Sequence, residues 1–534
     1  MKQPRTIIVS NRLPVKITLH GNALQCHNSE GGLATGLSSV CSKEDTIWIG
    51  WPGISTDADT FRRIEEELAP KGLVPVPLSA REIKDFYEGF SNEALWPLFH
   101  YFPDYARFSA SQWDAYKEVN LRFAEKIAAL AEPGDKIWIH DYHLLLVPDR
   151  VRERLPGASI GFFQHIPFPS FEMFRCLPWR DELVKGLLGA DLIGFHTQMD
   201  ADHFLEVIQR LAEAGAFDAS VLSNEILTDD RTVTVDAFPM GIDYEKYRNL
   251  SCSAGAMKVR DRIRDFCGSR KLMLSVDRLD YSKGILHRLN AYDRFLEQHP
   301  GLHERVVFLQ LIVPSRDQVS RYHELKEEVN QRVSDINTRY GSFDWEPIRY
   351  WYRSLEPEML SGLYAAADVA LVTPLRDGMN LVSKEYIASK TGSPGVLILS
   401  ELAGAAQELK QALIINPHNE QELADAIFDS LVMPVREQLK RLNAMQRTLS
   451  RHTVQQWAEL FLDALDKNRT EQHTFNESFF NQEIEEHVLE QFITREDMAS
   501  IMSQLESKLS TLMHPPTAPG TLQQGIPVNR VPHL

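Results

Sequence analysis

At 534 residues the chain is too long for one ordinary core, and a size of roughly 150 residues per domain divides it into two to four units. Apolar residues at 43% and charged residues at 25% describe a packed globular protein and exclude a disordered one. A formal charge of −17 argues against a broad nucleic-acid-binding face, which needs clustered Lys and Arg, so a phosphorylated ligand has to meet a local group of cations.

The N-terminus runs directly into Thr6 to Ser10, too short an apolar run for a signal-peptide core. No later stretch approaches the roughly 20 apolar residues of a membrane span, so a cytoplasmic location with no membrane partner is expected. Further runs rich in Val, Ile and Leu follow at Lys136 to His140, Ser159 to His165, Asp191 to His196 and Thr232 to Phe238. Others stand at Lys271 to Val276, Val306 to Val313, Val369 to Thr373 and Gly395 to Ser400. Separated by amphipathic stretches of helical length, they predict an α/β chain of two doubly wound parallel-sheet domains.

The first domain is expected over 1–245, ending beyond the turn-like Pro239 to Asp243, and the second over 246–467. Near the end of the second, Trp457, Leu460, Phe461, Ala464 and Leu465 recur at helical steps. They predict one apolar face, which either closes the second domain or reaches back to the first. The remainder, 468–534, reads as a charged helical stretch from Glu483 to Leu512 and a disordered Pro-rich tail. Cys26, Cys41, Cys176, Cys252 and Cys267 form no C-x-x-C pair and read as reduced thiols.

In an open parallel sheet the ligand crevice lies beyond the carboxyl ends of the strands, so polar residues there are the candidates. Asn11-Arg12 follow the first run, Asp141-Tyr142-His143 the second, and His165 ends the third. In the second half Arg278 and Lys283 follow one run, Arg316 the next, and Arg376-Asp377-Gly378 the third. Cations at four strand ends of an acidic protein would focus positive potential into one cleft, which suits phosphorylated ligands. Singly, each reads equally as a solvated loop residue or a cap.

Arg278 and Lys283 bracket a turn that Gly284 closes, a phosphate cradle without a Walker sequence. Gly31, Gly32 and Gly36 do not form a dinucleotide-binding G-x-G-x-x-G, which argues against a dehydrogenase. Arg376 to Glu385 reads as a strand-end loop and a helix whose first amides, near Leu381 and Val382, can hold an anion. One turn on, Glu385 could accept from ribose hydroxyls. Trp48, Trp51, Tyr87, Phe90, Trp96, Phe99 and His100 supply aromatic faces that suit sugar rings, or simply a core.

Two patterns are decoys. Asp57-Ala58-Asp59 imitates a metal-binding Asp-x-Asp, but Gly53 to Thr56 before it is no hydrophobic strand, so a helix cap is expected. His140, Asp141 and His143 lack further ligands at suitable spacing, so neither a metal nor another cofactor is expected.

In order, Ser10-Asn11-Arg12-Leu13-Pro14, Gly31-Gly32-Leu33, Trp48 to Trp51, Tyr87 to Pro97, Trp138 to His143, Gly161 to Pro169, Val276 to Gly284 and Thr373 to Glu385 resemble the trehalose-6-phosphate synthases. The likeness spans residues 6 to about 465. It implies the GT-B arrangement, two Rossmann-like domains facing across a cleft, and retaining transfer of glucose from UDP-glucose to glucose 6-phosphate. It further implies that Arg12 and Arg316 grip the acceptor phosphate with Tyr87, and that Trp51, Trp96 and Asp141 shape that pocket. Arg278 and Lys283 would hold the donor diphosphate with Gly32 and the Leu381 and Val382 amides, Glu385 the ribose, and His165 and Asp377 the transferred glucose.

The chain carries no second Asp-x-Asp region of the fused phosphatase kind, so a separate phosphatase is the expected partner; a homo-oligomer is expected too. A different donor nucleotide or acceptor, or a non-catalytic sugar-phosphate sensor, are the competing readings.

Overall fold

In the computed structural model, residues 4–20, 23–28, 46–315 and 320–469 are described. Two parallel sheets organise them. The first uses β1 (Thr6–Arg12), β4 (Thr46–Trp51), β5 (Leu73–Pro75), β6 (Lys136–His140), β7 (Ser159–Phe163), β8 (Leu192–Phe195), β9 (Ser220–Leu222), β10 (Glu225–Leu227) and β11 (Thr232–Ala237). A separate hairpin pairs β2 (Val15–His20) with β3 (Ala23–Asn28). The order is β5-β4-β1-β6-β7-β8-β11-β10-β9, antiparallel only at the β11-β10-β9 edge.

The second sheet uses β12 (Lys271–Arg278), β13 (Val306–Val313), β14 (Ile348–Tyr352), β15 (Val369–Val372), β16 (Val396–Ser400) and β17 (Leu413–Ile415), in the order β14-β13-β12-β15-β16-β17. Helices cover both faces, so β7 is buried at every position and β13 at all but its last. That is why these strands read as unbroken apolar runs.

Chain direction along each sheet reverses beside its first strand. β1 lies between β4 and β6, and β12 between β13 and β15, and both crevices open at carboxyl ends. The strands run slightly differently from the expectation: Asn11 and Arg12 are the last residues of β1, and Asp277 and Arg278 the last of β12, not loop residues after them. The strands β4, β5, β9, β10, β14 and β17 and the β2–β3 hairpin were not foreseen.

The helix over 454–469 reaches back to the first sheet. Phe461 stacks on Trp138 of β6 at 4.8 Å, Trp457 meets Phe163 of β7 edge-on at 4.9 Å, and its indole donates to the Phe238 carbonyl. Leu460 departs from the expected apolar face and is 62% exposed; Val454 and Ala458 are buried on that face with Trp457, Phe461 and Leu465. Among the described residues no helix is long and apolar enough to cross a membrane. The stretches Glu483 to Leu512 and His514 to Leu534 lie outside the described residues, as do Cys41, Gly32 and Arg316.

Candidate active site

On the first sheet, the guanidinium of Arg12 lies 4.6 Å over the ring of Trp51, the last residue of β4. The Trp51 indole donates to the Ile54 carbonyl, which folds the chain under the guanidinium. Gly53 there has φ +90°, and a Cβ on it would stand 2.5 Å from Arg12 Nη2, so only glycine fits. Among the described residues no carboxylate pairs with Arg12, while burial lowers the pKa of its guanidinium. A half-buried arginine at a strand end, with no carboxylate paired to it among the described residues, is a candidate anion site.

From Trp51 a run of rings crosses the floor of the cleft. Tyr87 lies 5.7 Å from Trp51 and 5.8 Å from His143; His143 is 3.9 Å from Tyr142, and Tyr142 is 5.7 Å from Trp96. Tyr87 sits on Ile83–Leu95, wound as a π-helix, with the Trp96 amide donating to the Ser91 carbonyl. Such widened turns are rare and concentrate at functional sites. Asn92 fixes the geometry, donating to the Tyr87 carbonyl at 2.6 Å and accepting from the Tyr142 hydroxyl at 2.9 Å.

The run ends on the other sheet's cation: Arg278 lies 5.4 Å over the Trp96 ring. Further contacts join the same surfaces. Phe102 and Tyr105 meet Tyr281 edge-on at 4.9 Å and 5.0 Å, and Arg376 lies 4.6 Å over Tyr101.

Asp141, beyond β6, has φ 77° and ψ 164°, a backbone region essentially restricted to glycine. Strain of this kind is held in place where a side chain has to point a particular way. Its carboxylate accepts from the His165 amide at 3.2 Å. Burial pushes its pKa up to about 6, against backbone donors from Tyr142, His165 and Ile166 and the nearby Arg278 charge.

Asp141 therefore becomes a neutral acid below pH about 6. Because the folded pKa lies above the ordinary carboxyl value, the stability it lends is present at low pH and is lost as pH rises through that window. Turnover is expected to fall on acidification through pH about 6, with Asp141→Asn flattening that limb. The variant is the necessary control, because a phosphorylated ligand would itself titrate near pH 6.

His165 is the middle of a buried row. Its Nε2 stands 3.0 Å from His140 Nδ1 and its Nδ1 stands 3.3 Å from His196 Nε2. Burial drives the His165 ring down to about 3 and the other two well below their ordinary value, so all three are neutral. A glucose hydroxyl would have to compete with His140 or His196 for the His165 ring.

On the second sheet, Asp280 caps the turn Tyr281–Lys283 by accepting from the Ser282 amide at 3.0 Å. Beneath it lies Arg288, on the helix Ile285–Gln298 and 0% exposed. Arg288 pairs with Asp277 of β12 at 2.6 Å and donates to the Lys283 carbonyl at 2.9 Å and the Leu371 carbonyl at 3.2 Å. It clamps strand end, turn and neighbouring strand together, and no local sequence signal announces it.

Lys283 reaches Asp377 at 2.6 Å. Burial acts to raise the Asp377 carboxyl, but the Lys283 charge and hydrogen bond hold it below its ordinary value.

Asn380 opens the helix Leu381–Ser389 in the left-handed region (φ 64°) and caps the Ser383 amide, which leaves the Leu381 and Val382 amides at the helix mouth. One oxygen of Glu385 accepts from the Tyr247 hydroxyl at 2.9 Å and the other from the Tyr364 hydroxyl at 3.1 Å. Burial raises its carboxyl despite these donors. Each oxygen keeps a lone pair for a further donor.

The Asp57 decoy is a helix cap: its carboxylate accepts from the Asp59 and Thr60 amides at the start of Ala58–Leu68.

Among the described residues, the strand ends thus set Arg12 at one end of a run of rings and Arg278, with the Lys283–Asp377 pair following it in the chain, at the other. That is the layout of an α/β glycosyltransferase. The profile of Glycosyltransferase family 20 matches residues 4–467, and the chain belongs to that family. A bifunctional trehalose-6-phosphate synthase/phosphatase of Thermoproteus tenax is 44% identical over 476 residues, 86% of this chain; the match spans 63% of that protein's own length.

A trehalose-6-phosphate synthase of a Mycobacterium species (strain KMS) is 42% identical over 474 residues, 87% of this chain and 95% of its own. The crystal structure of a UDP-forming α,α-trehalose-phosphate synthase from Burkholderia xenovorans, in complex with glucose-6-phosphate, is 34% identical. It superposes with a TM-score of 0.78 over 86% of this chain and 100% of its own.

Proposed function

We propose that this chain transfers glucose from UDP-glucose to glucose 6-phosphate, retaining the anomeric configuration and yielding UDP and trehalose 6-phosphate. The observation that carries this is the placing of cations at both ends of one run of rings, Arg12 at one end and Arg278 with Lys283 at the other. Two phosphorylated sugars can be neutralised there at once.

Arg12, joined by Arg316 and Tyr87, binds the acceptor phosphate, and Trp51, Trp96 and Asp141 enclose its sugar. Arg278 and Lys283, with the Leu381 and Val382 amides and Gly32, take the donor diphosphate. Glu385 takes the ribose. Asp377 and His165 face the transferred glucose, Asp377 switching part of its charge from Lys283 to a hydroxyl as Lys283 turns to phosphate.

In the reaction the bond from the anomeric carbon to the UDP oxygen breaks as the acceptor hydroxyl oxygen bonds that carbon on the same face. The hydroxyl proton passes to the departing phosphate oxygen. Arranged positive charge and proximity lower the barrier, and the step calls for no protein nucleophile and no resident cofactor. In this reading the enzyme is cytoplasmic and homo-oligomeric, and a separate phosphatase consumes its product.

UDP release is expected only when UDP-glucose and glucose 6-phosphate are both present. Equal release with UDP-glucose alone would overturn acceptor transfer, and faster turnover with ADP- or GDP-glucose would reassign the donor.

A further inference from the structure

His100 caps the short helix Trp96–Phe99 and is 2% exposed. Its ring stacks on Trp96 at 4.1 Å, and its Nδ1 stands 2.8 Å from the Trp96 carbonyl oxygen. A carbonyl only accepts, so Nδ1 carries the proton and the neutral ring presents a lone pair at Nε2. Among the described residues Nε2 has no hydrogen-bond partner. The charges of Asp280, Lys283 and Asp377 act on the ring. That free acceptor belongs to a ring stacked on the same Trp96 that Arg278 covers, which sets it at the candidate site.

We propose that His100 is a substrate-binding residue whose Nε2 accepts a hydrogen bond from a sugar hydroxyl held between Trp96 and the Lys283–Asp377 pair. The proposal rests on the reading of the cleft as a two-sugar site. Around it the fixed groups are cations, which favour phosphate oxygens, and carboxylates already engaged. A neutral imidazole lone pair does the opposite: it attracts a hydroxyl proton and repels an anionic oxygen, so it sorts the sugar ring from the phosphates and sets which way the ring faces. Burial takes the ring down to about 3, which makes it too weak a base to remove the hydroxyl proton; it orients the hydroxyl and does not ionise it.

Two substitutions separate this role from a purely structural one. In His100→Asn the short amide keeps a donor near the Trp96 carbonyl and removes the acceptor at the Nε2 position. In His100→Gln the longer amide places an oxygen near the Nε2 position and gives up the bond to Trp96. H100N is expected to lose about tenfold or more in kcat/KM, the scale of one hydrogen bond to a buried acceptor, with H100Q retaining most of the rate. The reverse order, H100Q impaired and H100N near normal, would mean that His100 only braces Trp96.

Monodeoxy forms of glucose 6-phosphate and of UDP-glucose then identify the hydroxyl and the sugar that carries it. The one deoxy substrate that wild type handles poorly should cost H100N nothing further, and penalties that simply multiply for every deoxy substrate would overturn the assignment. Should H100N fail to fold, His100→Ala takes its place in the same panel: a penalty at one hydroxyl that is kept in H100Q and lost in His100→Ala supports the contact, and a penalty kept in both variants removes it. Dual-substrate UDP release by wild type is measured in the same series. If it is present and H100N matches it, only the role of His100 falls; if it is absent, the two-sugar reading falls and takes the proposal with it.

Discussion

Arg278→Ala is expected to lower kcat/KM for UDP-glucose by on the order of a hundredfold or more, the scale seen when one preorganised charge-stabilising donor is removed. The guanidinium stands at the last position of β12 and is steered over the Trp96 ring, where it also acts on Asp141. In the proposed reaction it stabilises the leaving diphosphate from that position. Arg278→Lys should recover only part of the loss, because an ammonium cannot fork onto two phosphate oxygens or lie flat on an indole. Steady-state kinetics with varied donor check this, and near-normal constants for the alanine variant would remove Arg278 from the reaction.

The second large effect lies one layer down. Arg288→Met is expected to destabilise the second sheet by about 3–5 kcal/mol, because it leaves Asp277 buried without its partner. It also frees the Lys283 carbonyl and the Leu371 carbonyl, so activity should fall even where the protein remains folded. Pairing it with Asp277→Leu should recover much of the stability, since an apolar pair avoids the stranded charge. The recovery of activity should be smaller, because the turn at Tyr281–Lys283 still lacks its clamp. Urea midpoints and donor kinetics on the three variants test both halves of that statement, and a single variant as stable as wild type would refute the first.

How far the chain discloses this arrangement depends on the physical origin of each signal. β6 and β13 are legible to the residue because burial on both faces writes an uninterrupted apolar run. β4, with the sequence Thr46-Ile-Trp-Ile-Gly-Trp51, carries the same signal, but its tryptophans and glycine read as an aromatic cluster. Leu460 has the right spacing for the buried face of its helix, yet the face that meets β6 and β7 is centred elsewhere, and periodicity alone does not say which neighbour a helix will find.

Site residues at strand ends follow from topology. Their partners do not. Arg288 and Asp277 meet because a helix turns back under its own strand, and the two tyrosines on Glu385 come from Tyr244–Ser251 and Pro357–Ala366, far apart in the chain. The backbone strain at Asp141 leaves no trace in composition at all.

The return of the helix over 454–469 means that the polypeptide passes between the two sheets twice, and the two passes touch. Ile242 forms a parallel bridge with Thr453, the Val454 amide donates to the Ile242 carbonyl at 3.2 Å, and a Cβ on Gly241 would fall 2.0 Å from the His452 oxygen. Two strands pinned side by side behave like a door hung on adjacent pins: swinging about the line through them is cheap, whereas sliding or twisting strains both. Any rigid-body movement of one sheet against the other has to pivot about that line, which would bring Arg278 back toward the same indole.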